Sequence, residues 1–188
     1  MFYRATFAAL VLHFTAAPPA LSQTAEETAL LIATGVEAGE TVRNRAGDAL
    51  TRYEKISDHP LVLKGVRLQA SPGMSDSETR VQQSHPCRYL IITTWQQNYQ
   101  NQHHDYRGET AIDLTEAGPA AFIRPHPDPH PKGPPGVIDY PGAKLTAKVM
   151  MDGQLKYTAS SYVYYGTEER LNRAIAHMRK TYCQGRAE

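Results

Sequence analysis

Two cysteines in 188 residues are too few for a disulfide-built scaffold, and without a CxxC pair they make neither a zinc ribbon nor a thioredoxin-like motif. No apolar run reaches the roughly 20 residues that cross a bilayer as a helix. Charge of one sign is also lacking, since 20 Lys and Arg stand against 19 Asp and Glu and the signs are interspersed. A nucleic-acid or anionic-membrane partner needs a basic field, so both are set aside. G-x-S-x-G, S-x-x-K, H-E-x-x-H and a phosphate-cradling glycine loop are all missing. Those absences exclude the motif-borne hydrolases and nucleotide enzymes, and the chain reads as more binding protein than enzyme.

What is present starts with an export leader. Arg4 supplies a positive start, Ala5 to Ala17 is a short apolar run broken by His13, and Ala20 and Ser22 stand where small residues precede a cut ahead of Gln23. Residues 1–22 therefore read as a signal peptide that is removed, and the run is too short for a membrane anchor. No cysteine near the cut offers a lipid attachment point. The expected location is extracytoplasmic: periplasmic in a Gram-negative source, secreted otherwise. Arg4 is the only charged residue lost with the leader, so the mature charges balance.

Residues 23–188 fit one domain large enough to bury a core. Export makes an intrachain Cys87–Cys183 disulfide the default, because thiols oxidise in that compartment. Thr24 with Glu27 matches a capping box ahead of a helix over Ala25–Val36. Glu40–Ile56 suits either a second helix or a strand, Leu61–Gln69 is β-rich, and Ala70–Pro86 reads as a long polar surface loop. Cys87–Trp95 is apolar at alternating and intervening positions, which predicts a central strand buried from both sides. Gln96–Gly108 is too polar for a core, and Glu109–Leu114 should pair back on the central strand as a long hairpin.

Prolines at 125, 127, 129, 131, 134 and 135 hold residues 124–136 near polyproline II geometry, as a stiff surface excursion. A second hairpin follows. Its apolar residues align when Met151-Asp152-Gly153 forms a three-residue loop that sets Val149 opposite Leu155 and Leu145 opposite Ala159. Thr167 then caps a helix with an apolar stripe of Leu171, Ala174, Ile175, Met178 and Tyr182. The predicted class is α+β, an antiparallel sheet of about five to six strands packed with an N-terminal and a C-terminal helix and held by one disulfide.

Two constellations suggest chemistry. His103, His104, His126 and His130 could take zinc or copper, although polyproline II spacing puts His126 and His130 roughly 12 Å apart and adjacent His103 and His104 point oppositely when extended. Tyr99, Tyr106, Tyr162 and Tyr164, with Ser, Thr and Asn neighbours, suit a recognition face for a protein or small ligand of the envelope. A third reading, a small hydrolase with a fold-assembled site, would use pairs such as His85 with Asp113 or Glu109.

Overall fold

A computed structural model describes residues 23–43, 50–69, 74–99, 101–124, 137–139, 141–159, 162–163 and 166–183. Residues 1–22, the proline-rich stretch from 125 to 136 with His126 and His130, and Tyr164 lie outside the described residues. The chain runs α1 (Ala25–Thr34), β1 (Thr41–Arg43), β2 (Leu50–Asp58), β3 (Leu61–Gln69), β4 (Met74–His85), β5 (Arg88–Tyr99) and β6 (Gln102–Asp113). It continues with β7 (Ala121–Arg124), β8 (Val137–Asp139), β9 (Lys144–Met151), β10 (Gln154–Ala159), β11 (Tyr162–Val163) and α2 (Glu168–Thr181). An eight-stranded antiparallel sheet has the order β1-β2-β3-β4-β5-β6-β9-β10, and β11-β8-β7 forms a small second sheet. The α+β class holds, with eight strands in the main sheet in place of five to six.

Both helices start where their caps dictate. Thr24 and Glu27 complete the reciprocal capping box, and Gly35, at φ 78°, ends α1. Thr28 to Ala33 are all buried, so α1 is a core helix covered all round. α2 is amphipathic instead and buries Leu171, Ala174, Ile175 and Met178. The two helices pack together, and Arg170 on α2 reaches Glu37 Oε2 at 3.0 Å and Glu40 Oε1 at 2.8 Å after α1. Asn172 clamps the backbone of Ala120, accepting its N–H at 2.7 Å and donating to its carbonyl at 3.0 Å.

One face of the sheet meets these helices. Leu61 and Leu63, Val81, Tyr89 and Ile91, Ile112 and Leu145 join Leu31, Leu171 and Met178 in one core. Cys87 and Cys183 form the disulfide, with Cα atoms 5.3 Å apart, and it fastens the end of α2 to the corner before β5. β5 is central, as its composition predicts. It is not buried from both sides: Tyr89 and Ile91 are buried, whereas Leu90 and Ile92 on the other face are half-exposed, with no described element layered over them.

Residues 74–85 correct another expectation, since the supposed loop is the strand β4. Its ladder bonds to β3 and β5 supply what its side chains lack, and only Thr79 and Val81 need face the core. Residues 41–43 and 50–58 resolve the open segment as strands. The β5–β6 hairpin is unbroken from Arg88↔Asp113 to Tyr99↔Gln102, so the polar stretch after Trp95 is strand that contributes no core. The β9–β10 turn also differs. Asp152 (φ 52°) and Gly153 (φ 76°) form a two-residue turn with Met151 opposite Gln154, as positive φ at both central positions favours. A bulge at Lys156 then restores the apolar phase by setting Val149 opposite Tyr157 and Ala147 opposite Ala159.

Candidate functional site

Side chains alternate across a strand, so the residues out of phase with the core share the opposite face. There, Lys64 is paired with Glu78, Glu78 with Thr94, Thr94 with Arg107, and Arg107 with Met150, a single row crossing β3, β4, β5, β6 and β9. The row floors an open trough of about 690 Å³. Ile56 on β2 walls one side, and Gly153 of the β9–β10 turn the other. Ile56 is 63% exposed, a large apolar side chain held out in water.

Trp95 and Tyr106 also border the trough, but they are in phase with Ile91 and Thr110, so their side chains lie on the helix side of the sheet. They are directly paired across β5 and β6, and their rings stack with centroids 5.2 Å apart at 11°. A Cβ added at Gly108 would meet the indole at 3.6 Å, an ordinary van der Waals contact on the same face as the stack. The charges of the floor are paired along and between strands. Lys64 Nζ is 3.3 Å from Asp76 Oδ2, Arg80 reaches Glu78 at 3.5 Å, and Arg107 Nε donates to Glu109 at 2.7 Å. The Arg67 backbone N–H, with Lys64 beside it, holds the Asp76 carboxyl below the usual carboxylate range. Gln96 Nε2 donates to Asp105 Oδ1 at 3.0 Å. A patterned polar floor with apolar edges can hold an extended or amphipathic ligand by side-chain contact, and every cation in it already has an anionic neighbour.

A latch fixes the far rim. Asp152 donates its N–H to the Asp105 carbonyl and accepts the Asp105 N–H, and its Oδ2 lies 2.7 Å from His104 Nδ1. That histidine contact, then the Asp105 amide, keeps the Asp152 carboxyl below its ordinary range. The pair resembles the orienting half of a hydrolytic triad, yet among the described residues no hydroxyl or thiol hydrogen-bonds to His104. Nor do the other candidate pairs meet. Asp113 is taken by Arg88 and Thr115, Glu109 by Arg107, and His85 Nδ1 lies 3.1 Å from the Pro86 carbonyl.

The predicted site residues are therefore dispersed. His103 bonds Asn98 Oδ1 at 3.0 Å while His104 turns to Asp152, so the two imidazoles diverge across the strand. No group of three or more metal-ligating side chains occurs among the described residues. Tyr106 borders the trough, Tyr99 is placed by backbone pairing to Gln102 at the hairpin end, and Tyr162 belongs to the small sheet through its backbone pairing with Ile138. Trp95, Lys64, Glu78, Thr94, Arg107 and Met150 were not singled out by the sequence. Their signal is cross-strand register, which appears only when the partners of β4 are known. No protein-family model matches the chain, no curated protein is similar to it, and no solved structure resembles it.

Proposed function

We propose that the protein is an exported binding protein of the cell envelope, without catalytic chemistry of its own, which receives a protein segment or small ligand in the trough. One observation carries this reading: among the described residues the sheet face away from the helices bears a trough in which Ile56 and Met150 border a charge-paired floor. The Cys87–Cys183 disulfide and the leader-like residues 1–22 support export.

The test is capture from envelope extract with the mature protein, followed by trough variants. Thr94→Trp fills the floor and Arg107→Glu inverts its charge, and both residues are solvent-facing. Each should abolish capture of a stoichiometric partner while leaving the melting temperature within a few degrees. Capture unaffected by both variants moves the binding site elsewhere, and turnover without a partner removes the reading.

A further inference from the structure

Outside the trough, the least explained polar group is the amide at the foot of α1. Gln23 precedes the cap residue Thr24, its Nε2 donates to Glu37 Oε1 at 2.6 Å, and its carbonyl accepts the Tyr182 hydroxyl at 2.5 Å. Its Oε1 is buried and has no hydrogen-bond partner. Glu37 is in turn fixed through Oε2 by Arg170 at 3.0 Å. The residue that the export reading makes the first of the mature chain is thus held by the loop after α1 and by the end of α2, with its leaving nitrogen on a carboxylate.

We infer that Gln23 is a modification site: after cleavage at the Ser22–Gln23 bond its α-amine closes on its own Cδ to give pyroglutamate, with Glu37 as the acid–base group. The inference rests on the export reading. In the step, the α-nitrogen forms a bond to Cδ and the Cδ–Nε2 bond breaks. Glu37 takes the proton released by the attacking amine and returns it to Nε2, which departs as ammonia, so nothing is oxidised or reduced.

Three features favour closure here. Amine and amide belong to one residue whose backbone carbonyl is already fixed, so attack is intramolecular. A free α-ammonium would sit beside the positive pole of α1, which disfavours its charged form and leaves the nucleophilic amine. The lactam removes that charge altogether, and its ring N–H remains available as a donor. Closure also rebuilds an amide whose oxygen is now buried without a donor, a costly arrangement.

Protein exported from a host cell, collected early and incubated at neutral pH, is followed by intact mass and N-terminal sequencing. The expected product begins at residue 23, is lighter by one ammonia and blocks sequencing until a pyroglutamyl peptidase opens it. Glu37→Gln should slow closure about 100-fold, the low end of what a placed acid–base group contributes. Glu40→Gln, which weakens contacts to Arg170 and to the Glu37 backbone N–H but touches Gln23 nowhere and keeps the Glu37 carboxylate, should close within a few-fold of the original rate. Gln23→Asn keeps an amide but cannot form the five-membered ring, and must stay open. A stable free Gln23, closure at equal rates in the Glu37→Gln variant, or a first residue other than 23 overturns the inference while export stands. A secreted-fraction protein lacking altogether, with Met1 retained in the cytosol, overturns both.

Discussion

Gly142 shows how a single hydrogen can be structural. Its φ of 78° is left-handed, and a Cβ added there would lie 2.1 Å from the Glu116 carbonyl oxygen. Gly153 has nearly the same φ, 76°, but nothing within 4 Å of the added carbon. The pair separates backbone strain from collision. Gly153→Ala should cost about 1 to 2 kcal/mol, the left-handed penalty alone, and Gly142→Ala about 3 kcal/mol or more, because the 114–118 turn must also move. Urea denaturation of the two variants checks it, and equal costs would mean that the turn yields freely.

Tyr89 makes the second residue-scale argument. Burial, with minor help from Glu26 and Tyr182, pushes its phenol up to about 12 from 10.0. Its hydroxyl donates toward Met178 Sδ at 3.7 Å and accepts from Gln83 Nε2 at 3.3 Å, contacts that the neutral form makes. Because the folded value lies above the unfolded one, its contribution is complete below pH about 10 and is lost as pH rises from there through about 12. Stability measured between pH 9 and 11 should therefore fall in the native protein, and the slope should be shallower in Tyr89→Phe. An unchanged slope assigns alkaline unfolding to other groups.

At the scale of elements, the bulge in β10 acts as a guard. β10 is an edge of the main sheet, with Leu155 58% and Tyr157 59% exposed, and such an edge invites pairing with another chain. Lys156, skipped by the ladder, supplies both a bulge and a charge. Deleting it leaves Leu155 opposite Met150 and Tyr157 opposite Val149 in one regular ladder, so the hairpin should still fold. The shortened protein should self-associate in sedimentation velocity at concentrations where the parent does not. A shortened chain that stays monomeric removes the protective role.

The same hairpin marks what could be read in advance. Apolar alternation requires Val149 to oppose an apolar residue, which is true, but it could not choose between a longer loop and a tight turn followed by a bulge, since both restore phase. The helices were legible because capping chemistry and the 3.6-residue stripe act locally, as at Thr24, Thr167 and Leu171. β4 was not legible. A strand with ladder partners on both sides needs little apolar surface of its own, and Met74–His85 is polar for that reason. The trough shared this fate, because Lys64, Glu78, Thr94, Arg107 and Met150 are strung across distant segments and become one row only through register. Trp95 and Tyr106 likewise meet across the β5–β6 turn.

On the scale of the whole molecule, one end of the sheet is covered and clasped while the other is open. Helices cover the rows through Leu63, Val81, Ile91, Ile112 and Leu145, and the disulfide joins Cys183 to Cys87 across a sequence separation of 96. Closing so long a loop stabilises by about 4 to 5 kcal/mol through the unfolded chain. The rows through Trp95–Tyr106 and Thr94–Arg107 lie beyond that cover and are held by ladder bonds, the ring stack and the Asp152 latch. Stability should be uneven in the same sense. In hydrogen exchange, amides of Ile91 and Ile112 should open only with global unfolding, and those of Trp95 and Tyr106 by a cheaper local route. Replacing both cysteines by Ala lowers the global limit and should speed exchange at Ile91, Ile112 and the last turn of α2, while Trp95 and Tyr106 keep their rates. If exchange at the stacked pair accelerates in step with the core, the trough is coupled to the clasp, and a ligand bound there would feel the redox state of Cys87 and Cys183.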